Sequence, residues 1–456
     1  MKYTFLIKPI LFIVGLIVTI WMVLWIETVK PSDFGFYKDI FQRESIIKKR
    51  DNYPLQKTQQ LLSEEELHMA NIAWKYFENN YQTETGFVNS VDQYHATTLW
   101  DLSSSLMATL SAYELGIIDT AMLDKRITTV FASFANMDLY EGKLPNKVYN
   151  TVTLNMTTYD NRPTPNGVGW SAMDIGRFLT FCARIVHNYP NYTPLVTRVL
   201  NKWDFQSAID DAVLTGIGLS FKDGREMRVQ EGKLGYEEYC AKGFQSMLFD
   251  VSNAMKYTDF VKFIRIYGED IAADSREVKY HPAYNYIVSD PYILDGLEYG
   301  FDVNSLELGY RVFIVQKRRY AETGIMTAVG ESHIDTVPYF VYNSIYVNGK
   351  KWHCVSESGE DAPQFKTFST AAAIGLSYLF DDAYSKKLFD NVKSLYHPDL
   401  GFYAGIYERN NEINKAITAN ANGMVLEALN YKLKGPLVRS SGVLENVEAD
   451  HTSDAE

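Results

Sequence analysis

Carboxylates next to aromatic rings recur at positions where the sequence predicts helix starts. The densest case is EGKLGYEEYCAKGF, Glu231 to Phe244, in which tyrosines flank Glu237 and Glu238 just before an apolar run. A carboxylic acid donates a proton near neutral pH only where burial or a neighbouring charge keeps it protonated. We therefore predict Glu238 as a catalytic acid. The substrate-binding neighbours would be Glu231, Tyr236 and Tyr239.

The same pairing of an aromatic residue with an acid occurs at four further segments. They are Trp100 with Asp101, Trp170 with Asp174, Tyr292 with Asp295, and Tyr407 with Glu408, the last preceded by Tyr403. Any one of these acids has a simple structural explanation, because an acid in a first turn complements the helix dipole. Together they predict a pocket, provided that the helix starts meet at one mouth. Asp101 and Glu408 are then candidates for a second catalytic carboxylate.

The segment GESHIDTVPYFVYN places Glu331, His333 and Asp335 at alternate positions. In an extended chain these side chains share one face. Asp335 is a third candidate for the second catalytic carboxylate, and Glu331 and His333 are expected to bind substrate. A Ca²⁺-like ion or a plain surface hairpin are the alternatives, and we assign no metal and no cofactor. The zinc-protease, Walker, esterase and dinucleotide motifs are all missing from the sequence, which argues against those chemistries.

Two carboxylates and aromatic platforms are what glycoside cleavage requires, since one acid protonates the leaving oxygen and the other attacks or activates water. The expected partner is thus a carbohydrate. A non-catalytic glycan-binding component of a polysaccharide synthesis or export system is one alternative. A polysaccharide lyase is another, supported only by KRRY at Lys317–Tyr320 and by Asn343. With a net charge of −12 and no basic block, nucleic acid is not an expected partner.

The N-terminus predicts a membrane anchor. Residues 9–26, PILFIVGLIVTIWMVLWI, carry no charge, and 18 residues at about 1.5 Å per residue nearly cross a ~30 Å hydrocarbon core. The lysines before the segment place residues 1–8 in the cytoplasm and the rest outside the cytoplasmic membrane, in a periplasmic or extracellular location. The bulky residues at its end favour an uncleaved anchor over a signal peptide. A polar stem at 27–61 and a disordered acidic tail at 437–456 would flank the folded domain.

Between these ends, residues 62–436 show about a dozen segments with helical periodicity and few strand-like pieces. Ser63 and Glu66 form a predicted capping box for the first helix. The segments have unequal spacing, which argues against a solenoid. We expect an all-α fold, an (α/α)6 toroid with short β hairpins in its loops.

Several long motifs, in order, are similar to those of the bacterial domain-of-unknown-function family 3131. They include TTLWDLSSSLMATLSAYELGII, GWSAMDIGR, QEGKLGYEEYCAKGF, PYILDGLEYGFD and ITANANGMVLEAL, and span roughly residues 62–436. The resemblance places the chain with the six-hairpin glycosidases, more remotely with glucoamylase-like domains and endo-β-1,2-glucanases. It implies an (α/α)6 fold and a saccharide substrate. A Y-x-E-Y glutamate that donates the proton in the glucanases would correspond to Glu238, between Tyr236 and Tyr239.

Overall fold

The computed structural model describes residues 14–22, 47–219, 225–276 and 285–438. Residues 14–22 are helical and belong to a separate unit, Met1–Ile47. Half of the predicted anchor, 9–26, lies outside the described residues. Within the described ranges we find no helix with the length and apolar character needed to span a bilayer. The second unit, Lys48–Glu456, contains the folded domain, so its boundary falls earlier than the expected end of the stem at residue 61.

Six inner helices form a closed ring in the second unit. They are α2 (Leu99–Glu114), α4 (Ala172–Asn188), α6 (Tyr236–Ser246), α7 (Asp290–Tyr299), α9 (Thr370–Leu379) and α11 (Ala419–Lys434). Each packs on the next in chain order, and α11 packs back on α2. This ring is the arrangement predicted for an (α/α)6 toroid.

Five outer helices alternate with the inner ones along the chain. They are α1 (Glu64–Asn79), α3 (Thr120–Asn136), α5 (Thr193–Leu200), α8 (Val303–Thr323) and α10 (Ala383–Val392). Between α6 and α7, the described residues form a hairpin of β6 (Val261–Ile266) and β7 (Glu269–Asp274) in place of a sixth outer helix. One large apolar core fills the space between the two layers, including Phe131, Phe134 and Phe178.

The remaining strands are short and lie in the loops. They are β1 (Ala96–Thr98), β2 (Val148–Asn150), β3 (Ile209–Asp210), β4 (Val213–Leu219), β5 (Glu226–Gln230), β8 (Glu331–His333), β9 (Phe340–Val347), β10 (Lys350–Ser356), β11 (Thr367–Ser369), β12 (Tyr396–His397), β13 (Gly401–Tyr407) and β14 (Ile413–Ile417). All described strand pairs are antiparallel, as in β10-β9-β8. These hairpins, which the sequence predicts, lie in the loops around the ring, near the starts of the inner helices.

Side-chain caps define the starts of the inner helices. Thr98 and Asp101 form a reciprocal capping box on α2, and Ser171 caps α4 through the backbone N–H of Asp174. Ser369 and Thr418 cap α9 and α11 in the same way. Capping satisfies backbone N–H groups that a helix cannot pair internally. It also explains why several of the acids singled out in the sequence occur at helix starts.

The chain ends of the domain pack onto it. Residues 48–61, expected to be stem, include Arg50, which pairs with Glu307 and Glu269, each at 2.6 Å. At the other end, the Val438 N–H donates to the Glu298 carbonyl at 2.7 Å. Residues 437 and 438 of the expected disordered tail therefore pack on the domain, and the tail from 439 on lies outside the described residues.

Candidate active site

A cleft opens where the N-terminal ends of the inner helices meet. Helix residues at its wall include Trp100, Ser104, Arg177, Tyr236, Asp290, Leu294, Asn420 and Met424, and strand or loop residues include Glu331, Ser332, His333, Phe340, Ser369 and Ala404. The cleft encloses about 640 Å³, including its open mouth. Aromatic faces, hydroxyls and two carboxylates thus share one concave surface, which is the usual character of a small-molecule or sugar site.

Asp290 and Glu331 form an acid pair in the cleft. Asp290 is the first residue of α7, and its Oδ2 accepts a hydrogen bond from the Glu331 backbone N–H at 3.1 Å. A Cβ at Gly330 would lie 2.7 Å from that same Oδ2, so glycine is what permits the approach. Burial, and then the charge of Glu331, raises the pKa of Asp290 to about 8. Asp290 is therefore protonated at neutral pH.

Glu331 is held by two phenols. Burial raises its pKa, while hydrogen bonds from Tyr286 and then Tyr236 oppose that rise by stabilising the carboxylate. Tyr286 stacks on Tyr342 with ring centroids 4.2 Å apart, and Tyr236 meets Trp100 edge-on at 5.7 Å. The aromatic wall therefore fixes the position of Glu331 as well as offering faces to a ligand.

A polar network that includes Asp101 supports another part of the cleft wall. Its Oδ1 accepts from Asn420 Nδ2 at 2.7 Å, and Asn420 Oδ1 accepts from Ser104 Oγ at 2.6 Å. Asp101 also accepts from Ser90 Oγ and Thr98 Oγ1, and it is not among the residues of the cleft wall. Asp101 thus lies behind the cleft and orients the Asn420 amide, which lines it.

A second acid pair lies beside Trp100. Asp174 accepts from the Trp100 backbone N–H at 3.3 Å, and burial followed by the charge of Glu231 raises the pKa of Asp174 to about 7. Glu231 accepts from the Ala172 backbone N–H at 2.5 Å, and burial raises its pKa also. Asp174 therefore binds the start of α2 and Glu231 the start of α4, and both remain half-buried.

Arg177 forms the floor of the cleft. Its guanidinium lies 4.9 Å from the Trp100 ring and bonds to Glu427 at 3.3 Å and Glu298 at 3.5 Å. Beneath the guanidinium, Tyr239 Oη donates to Glu298 at 2.5 Å. The charge of Arg177 is thus compensated by buried acids below the cleft.

Glu238, predicted as the catalytic acid, is not among the residues at the cleft wall. Burial and the charge of Glu237 raise its pKa to about 8, but its carboxylate accepts from the Gly235 backbone N–H at 2.6 Å, as a cap of α6. Its catalytic role stays a prediction that the geometry does not favour.

Other predicted substrate-binding residues are engaged inside the protein. The indole N–H of Trp170 donates to Thr215, Tyr292 packs against Gly235 and Gly309, and Asp295 pairs with Lys242 at 2.5 Å. Tyr239, described above, is fully buried. The structure does not bring these four side chains to the cleft wall.

Asp335 and Glu408 lie apart from the acid pair. Asp335 is exposed just beyond the end of β8 and accepts from Tyr407 Oη at 2.6 Å. Glu408 accepts two hydrogen bonds from Arg319, at 2.7 and 2.8 Å. Tyr403, half-buried in β13, is also outside the cleft wall. The shared face expected for Glu331, His333 and Asp335 holds for the first two, because β8 ends at His333.

Of the predicted residues, Trp100, Tyr236, Glu331 and His333 line the cleft. Sequence reasoning missed Asp290, which begins its helix five residues before the acid that was chosen, Asp295. The signal was present, since Asp290 follows Ser289 and lies two residues before Tyr292. In the described part of the chain, no three His, Cys, Asp or Glu side chains are grouped as metal ligands.

The model of one protein family, described as "Protein of unknown function (DUF3131)", matches residues 68–435. No curated protein sequence matches the chain significantly.

Several solved structures share the fold. An endo-β-1,2-glucanase from Chitinophaga pinensis, solved with sophorotriose and glucose, aligns with a TM-score of 0.57 at 13% identity, over 83% of this chain and 94% of that one. A glucoamylase-like protein from Bacteroides caccae gives 0.60 at 13% identity, over 82% and 95%. The endo-β-1,2-glucanase of Talaromyces funiculosus, solved with sophorose, gives 0.56 at 10% identity, over 82% and 84%. At these identities the likeness shows the (α/α)6 glycosidase fold.

Proposed function

The chain belongs to the DUF3131 family, and from that premise and the cleft geometry we propose that it is a glycoside hydrolase or transglycosylase. It would act on a polysaccharide or oligosaccharide by carboxylate general acid–base chemistry. The observation that carries the proposal is the Asp290–Glu331 pair at the mouth of the helix ring, one acid protonated at neutral pH and the other held by two phenols.

Asp290 is the proposed proton donor to the glycosidic oxygen. Two nearby acids whose environments separate their protonation states commonly divide into acid and base. Glu331, with Tyr286 and Tyr236 stabilising its charge, is the first candidate for the second carboxylate. The Asp174–Glu231 pair beside Trp100 is the next. Asn420 and Ser104 supply hydrogen bonds for sugar hydroxyls, and Trp100, Tyr236 and Phe340 supply ring faces.

The alternatives have less support. A glycan-binding protein requires platforms and hydrogen bonds but no acid kept protonated, whereas Asp290 has a pKa of about 8. A lyase acting on a uronate requires a cation free to neutralise the substrate carboxylate. Arg177 is the cation at the described cleft wall, and it is already paired with Glu298 and Glu427.

The first substrates to test are β-1,2-glucan and its oligosaccharides, because related folds bind sophorose and sophorotriose. A panel should add α-1,4-glucan and bacterial exopolysaccharides. A fragment from residue 47 to 438 keeps every contact described for the domain. We expect release of reducing ends from at least one glycan. Failure with the whole panel, in folded protein, would count against hydrolysis.

The Asp290→Asn variant tests the proton donor. A positioned general acid contributes about 10²–10⁴-fold, so we expect kcat to fall by that factor with the fold retained. In the wild-type protein, activity should decline as pH rises through about 8, because Asp290 then loses its proton. Glu412→Gln, an exposed carboxylate on a β-hairpin turn, is the matched control and should retain full activity.

Glu238→Gln run in parallel separates the two candidate acids. If Glu238 only caps α6, the variant keeps most of its kcat, because the glutamine oxygen can still accept the Gly235 N–H. Loss of kcat equal to that of Asp290→Asn, with the fold intact, would return the donor role to Glu238 and overturn our assignment.

We also propose that the domain acts outside the cytoplasmic membrane, tethered by the uncharged segment 9–26 and available to polysaccharide synthesis machinery. The sequence pattern alone supports this proposal. Protease treatment of spheroplasts should degrade the domain while leaving cytoplasmic proteins intact. Protection of the domain until the cells are lysed would contradict it.

A further inference from the structure

Arg126 is an exception among the buried arginines. In the described ranges the other five buried arginines, Arg177, Arg184, Arg276, Arg311 and Arg319, each lie within 3.5 Å of a carboxylate. Arg126, on α3 and 6% exposed, forms no ion pair with any described residue. The acid that acts on it through space, Glu78, is on the surface and pairs with Lys75 at 2.8 Å.

The surroundings of Arg126 compensate its charge only in part. Its Nη2 donates to the Phe77 carbonyl at 2.8 Å. The guanidinium lies between two rings, 4.5 Å from the Trp74 centroid and 4.2 Å from that of Tyr81. Burial lowers the pKa of Arg126 to about 10, which shows how poorly the site solvates a cation.

Two polar atoms here have no partner among the described residues. They are Nε of Arg126 and the hydroxyl of Tyr81, both buried. Buried polar groups are nearly always hydrogen-bonded, so a pair of orphans at one place requires a ligand or ordered water. They border a small cavity between α2, α3 and the loop that follows α1.

The rest of the lining selects against a large or multiply charged ligand. Ser105 Oγ donates to the Asp101 carbonyl, and Thr109 Oγ1 to the Ser105 carbonyl, so neither hydroxyl proton faces the cavity. Leu106 and Val130 make the remaining wall apolar. Two donors, one positive charge and an apolar wall fit a small, weakly hydrated monovalent anion.

We propose that Arg126 and Tyr81 bind a halide ion, chloride in the first instance, in this cavity. The site lies on the side of α2 that faces α3, whereas Trp100 and Ser104 of the same helix line the cleft. The halide proposal is independent of the proposed glycosidase activity, since it rests on residues that do not line the cleft.

Bromide tests the proposal directly. Crystals grown in bromide should show an anomalous peak within hydrogen-bonding distance of Arg126 Nε and Tyr81 Oη. In solution, the Tm should rise saturably with chloride or bromide, beyond its rise in sodium gluconate of equal ionic strength, because a ligand of the native state stabilises it. Tyr81→Phe should weaken the halide response several-fold, and Arg126→Met should abolish it.

Arg162→Met is the matched control, since it removes an exposed arginine and should leave the halide response unchanged. If Arg126→Met does not fold, Tyr81→Phe and the wild-type diffraction remain decisive. Absence of the anomalous peak would overturn the proposal and assign the cavity to water. A peak seen only at molar bromide, with no halide-specific Tm shift, would overturn it equally.

Discussion

Asp290 should make the stability of the protein depend on pH. In an unfolded chain an aspartate loses its proton near pH 4, whereas native Asp290 keeps it to about pH 8. The native state therefore binds more protons between these values, and the free energy of unfolding falls as pH rises through that window. Asp290→Asn removes this loss, so we predict a variant more stable than wild type at pH 8–9 and equally stable near pH 4.

Urea denaturation at several pH values measures this difference. Asp174 and Glu238, whose pKa values are also raised, contribute the same dependence to both proteins, so it cancels in the comparison. Parallel curves for the two proteins from pH 4 to 9 would contradict the prediction.

Beneath the cleft, Arg177 should matter far more to stability than Glu427. Burial and the charge of Glu298 raise the pKa of Glu427 well above its usual range, so its charge is disfavoured at this position, and Glu427→Gln substitutes an uncharged group of the same size. Arg177→Met instead leaves a buried carboxylate without its cation, a change that typically costs about 3–5 kcal/mol. We expect that order of loss in chemical denaturation. A Glu427→Gln variant as unstable as Arg177→Met would refute it.

The sequence indicates which residue types lie at the N-terminal ends of the inner helices, but not which of these side chains face the cleft. Trp100, Tyr236, Glu331 and His333 were identifiable from their aromatic or acidic neighbours. Asp101, Asp174 and Glu238 fit the same pattern because each also caps a helix, and a cap and a catalytic acid look alike in sequence. The choice between them depends on how each inner helix is rotated in the ring.

At the scale of elements, α4 and α6 pack so closely that glycine is required. A Cβ on Gly243 would lie 2.0 Å from the Gly176 carbonyl oxygen, and a Cβ on Gly176 would lie 2.6 Å from the Cys240 carbonyl oxygen. We predict that Gly243→Ala destabilises the protein by at least about 3 kcal/mol, because backbone must shift.

Gly423→Ala on α11 is the comparison variant. Its Cβ would meet the Ser104 carbonyl at 3.3 Å, which a small adjustment can relieve. Alanine also favours a helix over glycine by about 1 kcal/mol, so we expect a change within about 1 kcal/mol of zero. Thermal unfolding of the two variants compares their stabilities. A large loss in Gly243→Ala alone would show that close backbone approach, and not the replacement of a helical glycine as such, causes the destabilisation.

The helices were largely predictable from periodicity, whereas their ends and the hairpins were not. The helix that begins at Tyr236 ends at Ser246, since the chain turns at Leu248 with φ of 66°. The hairpin β6–β7 has no strong alternation, since four consecutive residues of β7, 271–274, are all buried. Hydrophobic periodicity identifies a segment as helix or strand only where one face of the element is buried along its whole length.

At the scale of the whole molecule, residues 48–62 should be part of the stable domain. Arg50 pairs with Glu307, Tyr53 Oη donates to Glu307 at 2.7 Å, and the Gln56 N–H donates to the Leu379 carbonyl. Without this segment, Glu307 would still form its ion pair with Arg311, whose Nε lies 2.5 Å from Glu307 Oε1. We predict that a fragment 64–438 is less stable than 47–438 by about 1–3 kcal/mol. Equal urea midpoints for the two fragments would contradict this.

The closing contact of the ring joins the first inner helix to the last. Asp101 orients Asn420 across 319 positions of sequence, and α11 completes the wall that α2 begins. Nearly the entire domain must therefore be synthesised before the wall of the cleft is complete. The nascent chain can pair neighbouring helices early, but the cleft acquires its complete wall only at the end of synthesis.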